Sequence, residues 1–150
     1  MKKFHFTLRA VGVVRAHKER LAREALSVAM AARAAAESRL ADAQRSVLAL
    51  EAQMRAVRSG GVRPMDVVAA QEAHRRELLV IEQMRKQLAV AHAEFERCRQ
   101  LCIEANRQVK VIERLENDAR QAHRAASLKS EQAEFDEMAG HRAAHKALST

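Results

Sequence analysis

The sequence predicts an all-α fold, a two-helix antiparallel coiled-coil hairpin with unequal arms, and three observations predict it. First, Ile81, Met84, Leu88, Ala91, Phe95, Cys98, Cys102, Ala105, Val109 and Ile112 follow one another at spacings of three and four without a slip. That is the seam of a long helix lying along another helix. Second, the 150 residues are rich in Ala, Arg, Glu and Gln, with four Phe, no Trp or Tyr, four Gly and one Pro. This is the composition of a long helix or coiled coil. A buried Ala removes far less apolar area from water than a buried Leu or Phe, so the core should be narrow and the chain marginally stable alone. Third, the helical pattern breaks once, at Ser59-Gly60-Gly61-Val62-Arg63-Pro64.

Taken in order, Met1 to Arg20 holds Lys2, Lys3, Arg9, Arg15, Lys18 and Arg20 against Glu19 alone, so much of the net charge of +8 lies at one end. That end suits an acidic surface, although a solvated basic helix end has the same composition. Phe4, Phe6, Leu8, Val11 and Val14 add an apolar stripe that a purely solvated end does not need. The first helix is expected over about residues 8–58. Leu21, Ala25, Val28, Ala32 and Ala35 hold one register, and Leu40, Ala43, Val47, Leu50, Met54 and Val57 hold another displaced by one residue. The expectation is a phase shift across Ala31–Ala36, of the kind that locally unwinds a supercoil. Gly12 costs the helix about 1 kcal/mol relative to Ala.

The turn is expected over 59–64, with glycine ending one helix in a left-handed conformation and Pro64 suited to the first turn of the next. Asp66 favours that start. A short loop between long amphipathic helices makes them antiparallel neighbours. Folding about the turn pairs Leu50 with His74, Ala43 with Ile81 and Leu40 with Met84. Carried across the phase shift, it brings Val28 near Phe95, Leu21 near Cys102, Val14 near Val109 and Val11 near Ile112. The second helix, over about 65–139, then outruns the first by about 25 to 35 residues, or roughly 40 to 50 Å. This tail carries Leu115, Leu128, Phe135 and Met138 among charges that include Glu131, Glu134, Asp136 and Glu137. An isolated helix of this length is marginal in water; docking against a partner or the N-terminal Phe pair would steady it. Gly140 is the expected stop, with 140–150 a flexible end.

The residues offer no catalytic constellation. Glycine-rich phosphate loops, paired catalytic carboxylates and a nucleophile elbow are absent from the sequence, so the expectation is a non-enzyme without a cofactor. His141 and His145 lie one helical turn apart, but Arg142 stands where a zinc protease has Glu, and no third ligand is evident. No metal is expected. Cys98 and Cys102 lie on the seam, where a free thiol packs as a small hydrophobe. His74, also on the seam, is an edge or core histidine that could make the hairpin tip sensitive to pH. Nucleic acid is not an expected partner: opposite charges interleave from Met65 to Arg114 and stacking aromatics are nearly missing. No stretch of about 18 apolar residues is present, and Met1-Lys2-Lys3 leads into no apolar leader core, so the expected location is cytoplasmic. Leu48, Val68, Leu79, Val80 and Val90 point off the seam, which suggests a second contact surface in the tip half.

At the front, Phe4-His5-Phe6-Thr7-Leu8-Arg9 followed by Val11, Val14-Arg15 and Glu19, and at the back Val109-Lys110-Val111-Ile112-Glu113-Arg114-Leu115 followed by Glu131-Gln132 and Phe135-Asp136-Glu137-Met138, resemble the opening and closing patterns of the FliJ family. The resemblance extends over the whole chain, hairpin layout included. It implies a stalk of the flagellar type III export apparatus that enters the hexameric export ATPase ring and promotes its assembly or activity. It also implies contact with the export gate protein FlhA and with export chaperones, and hence a place at the cytoplasmic face of the membrane through partners. Mapped onto this chain, Phe4, Phe6, Arg9 and Arg15 with the tail residues Leu115, Phe135, Asp136 and Met138 would enter the ring. Leu48, Val68 and Leu79 would face the gate. The alternatives are the equivalent stalk of a virulence type III secretion system, a structural coiled-coil adaptor or self-associating rod without an ATPase partner, and a nucleic-acid-binding rod.

Overall fold

The computed structural model describes residues 3–61 and 63–148, with side chains up to Arg142. Two helices account for nearly all of it, α1 (Arg9–Ser59, 51 residues) and α2 (Pro64–Leu148, 85 residues), and no strand occurs among the described residues. The second helix is the longer one, as the unequal seams imply.

The turn forms as its chemistry dictates. The Gly60 amide donates to the Val57 carbonyl at 3.2 Å, and the Ser59 hydroxyl to that of Ala56 at 2.7 Å, satisfying acceptors that the last turn of α1 leaves open. Gly61 has φ 77°, a left-handed conformation that a Cβ would oppose. Pro64 opens α2, where its missing amide costs nothing, and Asp66 in the first turn complements the helix dipole. Val62, part of the expected turn, lies outside the described residues.

The chain forms two units in which the helices pack side by side. The first comprises residues 20–104. Its core joins Ala43 and Val47 of α1 to Ile81 of α2, with Leu40 and Met84 packed against it. Residue numbers rise along one helix as they fall along the other, from the Arg33 guanidinium over the Phe95 ring (5.1 Å) to Glu51 beside His74 (3.1 Å), so the helices are antiparallel. The expected meeting of Ala43 with Ile81 is present, and Leu40 and Met84, expected as a pair, both pack against that core.

The expected phase shift is not. Along α1 the shielded positions are Ala22, Leu26, Ala29, Arg33, Ala36, Leu40, Ala43, Val47, Leu50 and Met54, one unbroken count of three and four. Ala29 is 6% exposed and Val28 71%. Leu21, Ala25, Val28, Ala32 and Ala35, the expected seam, lie beside it and are exposed. Two adjacent alanine-rich stripes are nearly equal in apolarity, and continuity with the Leu40–Met54 register decides between them. The chosen stripe also puts Arg33 where its alkyl stem covers the seam and its guanidinium meets Phe95.

The second unit comprises residues 1–19 and 105–150. Here the same one-residue correction applies: Gly12, not Val11, faces Ile112, and a Cβ on Gly12 would stand 3.2 Å from Ile112 Cγ2. Arg15, not Val14, sits on the seam, and its Nη1 donates to the Gln108 carbonyl at 3.2 Å. On α2 the shielded positions continue through Ala105, Val109, Ile112, Glu116, Ala119 and His123.

All ten residues of the expected α2 seam, Ile81 to Ile112, are buried or half-buried. The expected stop at Gly140 is overturned, because α2 continues to Leu148. A glycine inside a helix costs only about 1 kcal/mol, and Ala139, Ala143 and Ala144 around it favour the helix. Ser149 and Thr150, the last residues of the expected flexible end, lie outside the described residues.

The core is narrow. The accessible surface is 12223 Å², whereas a compact monomer of this mass exposes about 7,700 Å². Exposed ion pairs one turn apart, among them Arg33 with Glu37, Glu82 with Lys86, Glu96 with Arg99 and Asp42 with Arg45, run along both helices.

Candidate partner-binding surfaces

In the unit of residues 1–19 and 105–150, the chain before α1 is not helical. The Arg9 amide donates to the Phe6 carbonyl at 3.3 Å, turning the chain into α1. The preceding residues lie along α2, where the Phe4 ring meets the His123 imidazole edge-on at 5.6 Å. The Arg120 guanidinium stands 5.6 Å from the Phe4 ring and pairs with Glu116 at 2.9 Å. Phe4 thus lies against α2 at the beginning of the overhang. Phe6 is half-buried as well.

The structure therefore divides the residues assigned to a ring contact. Phe4, Phe6 and Arg15 are engaged within the chain, whereas Arg9, Leu115, Phe135, Asp136 and Met138 are exposed. Leu128 and Phe135 are two helical turns apart and Met138 one turn further, so the three form one ridge. Around the ridge stand Glu131, Glu134, Asp136 and Glu137, an acidic group in a chain of net charge +8. Large apolar side chains that remain in water along one helical line suit a partner surface.

In the unit of residues 20–104, Leu48, Val68 and Leu79 are all exposed. Val68 and Leu79 are eleven residues apart on α2 and share a face, and Val90, eleven further, is 71% exposed. On the seam near the turn, His74 Nε2 lies 3.1 Å from Glu51 Oε1. The partner is Glu51, the residue after the expected Leu50.

One local cluster was not foreseen. Arg97 holds Glu94 through two hydrogen bonds, Nη2 to Oε1 at 2.6 Å and Nε to Oε2 at 2.8 Å. The Cys98 thiol lies 3.5 Å from the same Oε1. The Arg97 guanidinium, then the thiol, pull the Glu94 carboxyl down to about 2. Burial, then Glu94, push the Cys98 thiol up, so it stays protonated and packs rather than reacts. Glu94, Arg97 and Cys98 at spacings of three and four carry the sequence signal for this cluster. Among the described residues no group of three His, Cys, Asp or Glu is placed to hold a metal, and His145 lies outside the described side chains.

Two packed helices with exposed apolar ridges define a coiled-coil protein. Residues 4–148 match the family model described as Flagellar FliJ protein, and the chain belongs to that family. It is thus a structural component of the flagellar export apparatus. No curated protein and no solved structure matches the chain. Among the described residues no helix is long and apolar enough to cross a membrane.

Proposed function

We propose that this chain is the non-enzymatic stalk that inserts into the hexameric ring of the flagellar export ATPase, promotes its assembly or activity, and links it to the gate protein FlhA and to export chaperones. The observation that carries this reading is the overhang of α2, whose ridge of Leu128, Phe135 and Met138 is exposed although it continues a well-packed helix. A ring that closes around the overhang would bury that ridge, and the helix would gain the packing it lacks. Leu115 and Asp136 extend the contact along α2, and Arg9 adds a positive charge at the start of α1. Charge at such a contact favours fast association more than tight affinity. Phe4, Phe6 and Arg15 contribute indirectly, by fixing the N-terminal chain and α1 against α2.

The gate contact falls to the tip half, on Leu48, Val68 and Leu79. Two chemically different surfaces give each partner its own contact. The working location is the cytoplasmic face of the export apparatus, reached through these partners.

A photo-crosslinking residue placed at Phe135 tests the ring contact. Irradiation with the assembled export ATPase should give an adduct with the ATPase chain, and the same residue placed at Leu79 should give none. Adducts from Leu79 with none from Phe135 would refute the assignment of the ends.

A further inference from the structure

Around the turn the arginines have no acid to meet. Glu51 stands one helical turn before Arg55, the spacing at which a glutamate ordinarily holds an arginine. Here it reaches across to α2 instead, where its Oε1 lies 3.1 Å from His74 Nε2. Arg55 and Arg58 line the same cleft as this pair, with Met54, and among the described residues neither has an ion-pair partner. Arg63, exposed on the other side of the turn, has none either. From Ala52 to Gln71 the one acid is Asp66, in the first turn of α2, where it complements the helix dipole. Arg58 does the same for the last turn of α1, a use that needs one cation and not three.

The same end carries apolar surface. Met65 is 81% exposed, more than any other large apolar side chain among the described residues, and Val57 is exposed as well. A thioether left in water gains nothing for the fold, and beside unpaired guanidiniums it is a feature of a contact rather than of a core.

We propose that the turn end binds the surface of an anionic lipid bilayer, with Arg55, Arg58 and Arg63 on lipid phosphates and Met65 in the acyl boundary beneath them. Such a surface supplies both components at the right depths: fixed negative charge outermost, and apolar chains just below. Long cationic side chains keep their heads at the phosphates while a neighbouring apolar side chain goes deeper. The contact is peripheral, since among the described residues no helix is long and apolar enough to cross a membrane. It is also weak and reversible, because each arginine near an anionic surface contributes only about a factor of five in binding. The proposal is independent of the ring and gate contacts.

Co-sedimentation of the full chain with sucrose-loaded vesicles, one set of phosphatidylcholine alone and one containing phosphatidylglycerol, tests it without any other protein. Wild type should pellet with the anionic set at low salt, be released as salt is added, and stay in solution with the zwitterionic set. Arg58→Gln with Arg63→Gln should lower the partition at least about tenfold. Lys18→Gln with Lys110→Gln, which removes the same net charge from exposed positions elsewhere, should bind as wild type does. Met65→Gln, a neutral change that a helix start accepts, should weaken binding without altering its dependence on salt. Circular dichroism should show intact helices in every variant. No preference of wild type for the anionic vesicles would overturn the proposal and leave the arginines to an acidic protein surface. Equal losses in the two double variants would overturn it too, because net charge alone would then account for binding. Unchanged binding by Met65→Gln would contradict insertion at the turn.

Discussion

Phe4 meets His123 edge-on at 5.6 Å, although α1 begins only at Arg9 and Gly12 already stands opposite Ile112. From Ile112 to His123 is eleven residues, or about 16 Å of helix. A non-helical chain covers about 3.3 Å per residue, so the few residues before Arg9 suffice to follow α2 that far. The overhang therefore starts beyond His123, and its root is clamped by an aromatic contact. Phe4→Ala should cost about 1 kcal/mol of local stability, the scale of a partly exposed aromatic contact. Hydrogen exchange by mass spectrometry should show faster exchange across Glu116 to Ser127 and no change across Glu77 to Ala91. Equal acceleration in both would mean that Phe4 acts on the whole fold.

Gly12 is retained at a close approach rather than as a defect. In an open helix Gly→Ala gains about 1 kcal/mol. Here the new Cβ meets Ile112 Cγ2 at 3.2 Å, so the expected change in melting temperature for Gly12→Ala is close to zero. Gly12→Val should destabilise by about 1–3 kcal/mol through overpacking. A stabilising Gly12→Val would show that the helices separate there without cost.

The seam register separates neighbours that look alike. Leu26 is shielded, whereas Val28, which the sequence placed on the seam, is exposed. Leu26→Ala should therefore lose about 1–2 kcal/mol in urea unfolding, below the roughly 2–5 kcal/mol of a fully buried Leu→Ala because the site is half-buried. Val28→Ala should stay within about 0.5 kcal/mol. The opposite ranking would restore the phase shift.

Glu94 links the helix surface to pH. Its carboxyl falls from the usual 4.5 to about 2 in the folded chain, chiefly through Arg97. A depressed folded value stabilises fully above the unfolded value, and the contribution fades as pH falls from about 4.5 through about 2. The melting-temperature deficit of Glu94→Gln should accordingly be largest near pH 6 and vanish near pH 2. A deficit independent of pH would show that the ion pair with Arg97 is immaterial.

Much of the fold was legible because its signals are redundant. The α2 seam from Ile81 to Ile112 carries enough large residues at consistent spacing to admit one register, and Gly61 with Pro64 marks the turn chemically. The first half of α1 was less legible, because Ala22, Ala29 and Ala36 compete with Ala25, Ala32 and Ala35. Alanine scarcely distinguishes two adjacent stripes, and Arg33 is a charged residue whose place on the seam depends on Phe95 beneath its guanidinium. Gly140 looked like a stop, but glycine ends a helix only when it takes the left-handed conformation, which Gly61 adopts and Gly140 does not. Of the surfaces, the exposed apolar tail could be read from its residues. That Arg15 rather than Val14 lies on the seam could not, because it depends on which of two adjacent stripes of α1 faces α2.

The most direct measurement is the ATP hydrolysis rate of the flagellar export ATPase with the full chain and with a chain truncated after His123, which keeps the Phe4 clamp and removes the exposed ridge. A stalk acting through its overhang should stimulate hydrolysis when complete and lose that stimulation when truncated, with the helices below His123 unchanged by circular dichroism. Equal stimulation by both chains, or none by the full chain, would contradict the ring-entering role of the tail.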